Sequence, residues 1–179
     1  VQARLDEALC GVALVDPRRT RSLQETSRRL RLQPGAAPDV PADLLQDTDG
    51  RPLEPDASPV ALAATRDVTV FATDVAAETR WDAWRSVALA HDIRAHWSTP
   101  VKSSAGDVMG VLSILLHEPR TPERAHRNLM AQFTQLASIA IERARSETGL
   151  RQSEAFLART QRLTLNVTVA WRVNTDEVL

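Results

Sequence analysis

Cysteine is nearly absent from this sequence. Cys10 stands alone among 179 residues, which excludes a disulfide framework and a cysteine-built metal cluster. A nucleophilic and resolving thiol pair is excluded with them. The apolar neighbours of Cys10, from Ala8 to Val15, predict a buried and inert thiol. Glycine is scarce at 6 residues, and neither a phosphate-cradling loop nor a nucleophile elbow occurs. The longest apolar run, Met109 to Leu116, is about eight residues, against the roughly twenty that cross a bilayer, so no membrane span is expected. Charge of one sign is also lacking. With 22 basic and 23 acidic residues and a net charge of -1, the chain has no basic excess to neutralise phosphates, and no nucleic-acid partner is expected. No basic stretch followed by an apolar core and a small-residue cleavage site opens the chain, so cytoplasm is the expected compartment. It begins on Val1 and stops in a strand-like run, as a piece excised from a longer protein would.

What is present suits one domain with an appendage: 43% of the residues are hydrophobic and 25% charged, enough to bury a sizeable core. Gly11 to Asp16 reads as a buried strand stopped by Pro17, and a second strand is expected near Leu30–Ala37. Between them, Arg18 to Arg31 reads as a short helix or a solvated excursion. Residues 33–59 hold six of the ten prolines and predict a loop-rich lid or edge, with a short helix opening at Pro41. Ser58-Pro59 has the form of an N-cap followed by proline in the first turn, for a helix ending near Arg66-Asp67. Val68 to Ala72 is strand-like. Glu78 to His91 spaces Trp81, Trp84, Ala88 and Leu89 as on one face of a helix. Ile93–Lys102 and Val108–His117 form the clearest hairpin, turning through Ser103 to Asp107 with Gly106 suited to positive φ.

From Pro122 to about Arg162 the period becomes helical, with Leu129, Phe133, Leu136, Ala140 and Ala144 three to four residues apart. Unbroken, this helix would extend roughly 60 Å, more than a domain of this size needs to cover its own sheet. Its apolar stripe therefore calls for another occupant, and a parallel homodimer through this helix is expected. Gly149 is a point where the helix could divide. Leu165 to Val173 alternates and predicts the first strand of a following domain.

The stretch Ala72-Thr-Asp74-Val-Ala-Ala-Glu-Thr-Arg-Trp81-Asp-Ala-Trp84, continuing to His91-Asp-Ile-Arg94-Ala-His96-Trp97-Ser98-Thr-Pro100-Val and the hairpin around Gly106–Gly110, resembles the GAF domains of bacterial multidomain sensor proteins. Leu14-Val-Asp16-Pro17 and Gly35-Ala-Ala-Pro38 match the first two strands of that family, so the resemblance covers residues 8–146. Leu150-Arg-Gln-Ser-Glu154-Ala-Phe-Leu-Ala-Arg-Thr-Gln161-Arg-Leu163 is similar to the signalling helix that enters a PAS domain in GAF–PAS histidine kinases. The resemblance implies an α+β fold, a central and mostly antiparallel sheet flanked by helices, with a long C-terminal signalling helix. It implies a sensory domain over 1–146, a signalling helix over 147–163 and a truncated PAS-like start over 164–179. The implied function is a sensory or regulatory module that binds a small molecule or relays a conformational signal to a PAS or histidine kinase output. The resemblance implies no enzyme activity for this stretch, any kinase parts being expected outside it. The alternative is a degenerate GAF domain acting as a dimerisation spacer. Three departures bear on binding. Glu54-Pro55-Asp-Ala-Ser58-Pro59 replaces a glycine-rich segment, Asp92 replaces a glycine, and His96 replaces a cysteine before the tryptophan.

The candidate ligand-binding residues are Asp74, Trp81, Trp84, Arg94, His96, Trp97 and Ser98. Strand alternation puts Arg94, His96 and Ser98 on one face and Ala95 and Trp97 on the other. One reading is an anionic or aromatic ligand held by Arg94 against an aromatic wall. The other makes Trp81 and Trp97 core residues and pairs Arg94 with Asp74 or Asp82. His96 is either a sensor titrating near neutral pH or a hydrogen-bonded structural histidine. His91, His117 and His126 lack metal-ligand spacing. No metal, bilin or haem motif is identified, and the cofactor is left open.

Overall fold

The computed structural model describes residues 8–15, 30–32, 40–41, 44 and 53–175, with 30–32 and the residues after Glu154 described by their backbone alone. The chain divides into two compact units, 1–139 and 140–179. The first unit is built on a five-stranded sheet in the order β2-β1-β5-β4-β3, from β1 (Leu9–Val15), β2 (Leu30–Leu32), β3 (Val70–Ala72), β4 (Ala95–Lys102) and β5 (Val108–Leu116). Every pairing is antiparallel. β5 is central and buried along its whole length, as a strand covered on both faces should be, and this accounts for the long apolar run in the sequence. The expected hairpin is β4–β5, with Gly106 at φ +89° in its turn. At Gly110 the backbones of β5 and β1 approach so closely that a Cβ would meet the Ala13 carbonyl oxygen at 2.7 Å. Glycine is the residue such an approach requires.

Two helices cover one face of the sheet. Helix α1 (Pro59–Arg66) starts where its cap predicts: the Ser58 hydroxyl accepts from the Ala61 amide at 3.2 Å, and the helix ends at Asp67 in the left-handed conformation. Replacing Ser58 by alanine should cost about 1 kcal/mol, read as a lower denaturation midpoint at unchanged slope. Helix α2 (Asp82–Ala90) is shorter than the sequence period and buries Trp84 and Ala88. It closes with Asp92 at φ +56°. The amides of Asp92 and Ile93 bond back to the carbonyls of Leu89 and Ala88 at 3.1 and 2.9 Å, a Schellman turn. An aspartate thus holds a left-handed position at which the resemblance leads one to expect glycine, and the departure leaves the turn intact. The core on this face joins Val60, Ala63 and Ala64 of α1 and Trp84 and Ala88 of α2 to Ala13, Val15, Val70, Ala72, Val111 and Leu115 of the sheet.

The opposite face carries a smaller cluster, Ala95, Trp97, Ile114 and Leu116, closed by Met130 from the long helix α3 (Arg124–Thr175). His126 and Met130 are buried, Thr134, Ala137 and Ser138 half-buried, and Ser138 donates to the Lys102 carbonyl at 2.6 Å. That series, and not the apolar stripe read from the sequence, is the helix face turned to the sheet. Phe133, Leu136 and Ile139 are 48, 62 and 59% exposed.

Three expectations are corrected. Cys10 is exposed: Gly11, Ala13 and Val15 take the buried alternate positions of β1, while Cys10 shares the other face, where Val12 and Leu14 are only half-buried. Helix α3 passes through Gly149 without a break, and the backbone of 165–173 is helical to Thr175 instead of forming a strand. A strand with no neighbour leaves its amides and carbonyls unpaired, whereas a helix satisfies them within the segment. The expected second strand is present at Leu30–Leu32; the rest of that expectation, the 18–29 excursion and most of the short helix at Pro41 lie outside the described residues. Among the described residues no helix is long and apolar enough to cross a membrane.

Candidate functional site

Strand β4 divides the candidate residues between the two faces of the sheet. His96 and Ser98 point towards α2, and the His96 Nε2 lies 3.1 Å from the Ser98 hydroxyl. The imidazole stacks on Trp84 with ring centres 5.2 Å apart and planes at 29°. Trp84 meets Trp81 edge-on at 6.2 Å. Trp81 itself opens α2, and its indole N–H donates to the Pro55 carbonyl at 3.4 Å. Four candidates, Trp81, Trp84, His96 and Ser98, thus form one connected group.

The other three do not join it. Trp97 is fully buried on the opposite face. It lies edge-on to Phe71 at 6.4 Å and 5.3 Å from the His126 ring, and its N–H donates to the Arg120 carbonyl at 3.1 Å. Asp74 caps the 3-10 turn Val75–Ala77 by accepting from the Ala76 amide at 3.0 Å. Arg94 precedes the strand, and its guanidinium bonds the exposed Asp92 carboxylate at 3.0 Å. The structural pairing expected with Asp74 or Asp82 is therefore replaced by one with Asp92, because the Schellman turn brings that carboxylate next to Arg94. Asp82 pairs instead with Arg85 at 2.9 Å.

Burial governs the electrostatics of the group. His96 is 2% exposed, and loss of hydration pushes its imidazole down from 6.5 to about 3. Burial holds it neutral, which favours the hydrogen-bonded structural histidine over the near-neutral sensor of the two readings. Its Nδ1 has no hydrogen-bond partner, and the only other such buried atom among the described residues is the Thr99 hydroxyl. Ser113 was missed as a candidate. It lies directly across from Ser98 and next to Gly11, giving the sheet a small, polar floor beside His96. The signal for it was a lone hydroxyl inside the apolar run Met109–Leu116.

A five-stranded antiparallel sheet, helices on its faces and a helix leaving the last strand are what the residue pattern led one to expect, and the GAF domain model matches residues 1–142. The chain belongs to the GAF domain family. Solved structures agree on the fold. A domain of a two-component sensor histidine kinase protein from Sinorhizobium meliloti superposes with a TM-score of 0.59 at 15% identity, over 82% of this chain and 87% of that one. The GAF domain of a two-component sensor histidine kinase from Bacillus halodurans gives 0.53 at 14% identity, over 76 and 82%. In sequence, the chain is 27% identical over 146 residues to the methyl sulfide methyltransferase-associated sensor of Methanosarcina acetivorans, over 82% of this chain but 14% of that protein. This GAF domain is therefore similar to a small part of a much longer sensor. GAF domains are regulatory modules found in sensors and histidine kinases, and this one has that fold.

Proposed function

We propose that this GAF domain is the sensory part of a cytoplasmic signal-transduction protein. It binds a small molecule beside Trp84 and His96 and passes the signal through α3 to an output module such as a PAS domain or a histidine kinase. The observation that carries this reading is the back-to-back placement of His96 and Trp97 on β4. His96 faces the candidate site, while its neighbour Trp97 packs against His126 in the first turn of α3 and bonds Arg120 just before it. A small shift of the strand on ligand binding moves the seat of the helix, because packed interfaces respond to displacement in discrete steps. A thermal-shift screen with nucleotides, small aromatic acids and haem tests the reading. Stabilisation by any of them supports a sensor. No stabilisation supports the alternative, a GAF domain that serves as a dimerisation spacer, for which the dense packing of Trp81 and Trp84 speaks.

Both readings include a homodimer through α3. Support comes from Phe133, Leu136 and Ile139, large apolar residues at helical spacing that this chain leaves exposed. Introducing glutamate at Phe133 and Leu136 together should weaken dimerisation about 100-fold or more, since each side chain removed from water contributes roughly 1.5–3 kcal/mol. Sedimentation checks this, with circular dichroism showing the domain still folded. A wild-type chain that sediments as a monomer at all concentrations would remove the dimer from the proposal.

A further inference from the structure

Resting on that reading of the site, we propose that its ligand is uncharged and is recognised by a neutral hydrogen-bonding group placed on the Nδ1 of His96. The imidazole is held on two sides: one face lies against Trp84 at 5.2 Å, and Nε2 is engaged by Ser98 at 3.1 Å. Nδ1 is the remaining polar valence of the ring and is buried without a partner. A buried nitrogen in that state is a standing demand for a complementary group. A neutral imidazole presents one donor and one acceptor, and the Ser98 hydroxyl serves either nitrogen role. A group that both donates and accepts, such as a carboxamide or a lactam edge, satisfies Nδ1 in both tautomers.

The neighbouring cations argue against an anion. Arg94 is turned to Asp92, Arg85 to Asp82 and the Glu78 carbonyl, and Arg80 to the Glu78 carboxylate while lying over Trp81 at 4.3 Å. All three are engaged outside the Trp84–His96–Ser98 group, so a carboxylate on Nδ1 would be buried without a counter-charge unless it brought a proton to the ring. The anionic ligand held by Arg94, one of the two readings of the sequence, is disfavoured by the same placement.

Matched probes test this on the whole chain: nicotinamide and benzamide against nicotinate and benzoate, each at millimolar concentration. Binding is read by thermal shift and by the His96 Nδ1 resonance of protein labelled with 15N-histidine. The expected result is that the amides raise the melting temperature and move that resonance. The matched acids should bind at least 10-fold more weakly at pH 7.5, and His96→Leu should lower amide affinity at least 10-fold. Acids that bind as tightly as the amides overturn the uncharged ligand while leaving a sensor in place. A Nδ1 resonance that neither amide moves overturns the inference as well, and needs no variant to fold. Undiminished amide binding by a folded His96→Leu protein does the same. The sensory reading stands or falls separately, on the broader screen.

Discussion

Replacing Trp97 by alanine is expected to remove about 3–5 kcal/mol of stability, the range for deleting a large buried aromatic side chain. Trp97 is fully buried, and the small cluster on its face of the sheet consists of Ala95, Ile114, Leu116 and Met130 besides itself, so few neighbours could collapse into the space. Its indole N–H also ties down the Arg120 carbonyl, and the Arg120 amide in turn bonds the Thr73 carbonyl at 2.9 Å. Loss of the ring therefore frees the connection from β5 to α3 as well as creating a cavity. Set against a usual total of about 5–15 kcal/mol, the change should be visible as a large drop in denaturation midpoint, with faster amide exchange over residues 120–127. Trp97→Phe is the milder change. It keeps a ring beside Phe71 and Met130 but gives up the hydrogen bond and part of the buried ring volume, for roughly 2 kcal/mol. A Trp97→Ala loss below that of Trp97→Phe would show that the residue is not the seat of the helix.

Acid should destabilise the folded domain through His96. The native imidazole is pushed down to about 3 by burial, from 6.5, so below pH 6.5 the unfolded chain binds a proton that the native chain refuses. Stability from this group is fully present above pH 6.5 and falls as the pH drops towards about 3, where the native ring also protonates. The slope approaches about 1.4 kcal/mol per pH unit, or roughly 2 kcal/mol between pH 6.5 and 5. Denaturation at those two pH values, in wild type and in His96→Leu, isolates the effect because His91, His117 and His126 are common to both. Parallel curves for the two proteins would mean that His96 is not held neutral by the fold.

The cap at Ser58, the helix end near Asp67 and the hairpin turn at Gly106 were legible because each depends on residues within four positions of one another. The family was legible for a related reason: the run from Asp74 to Val101 carries local turn, helix-start and strand signals in a fixed order, and these survive even where Asp92 stands in for glycine. The division of the site was half legible. Alternation along β4 separated His96 and Ser98 from Trp97 correctly, but it grouped Arg94 with them by extrapolating the strand one residue too far. Arg94 lies in the turn before the strand, where a carboxylate two residues away captures it. The long helix was foreseen and its sheet-facing side was not. His126, Met130, Thr134 and Ser138 suit the sheet because His126 packs on Trp97 and Ser138 reaches the Lys102 carbonyl, partners that no helical period can reveal.

By itself, then, the sequence determined the succession of elements from Ser58 to the start of α3, with their caps and turns, since neighbouring residues encode these through backbone geometry and short-range hydrogen bonds. Only the tertiary structure decided that His96 is neutral and stacked on Trp84, that Cys10 faces outward and that Phe133 and Leu136 are left exposed. Burial is a property of what the chain brings together across long separations, and a side chain's charge state and partners follow from burial.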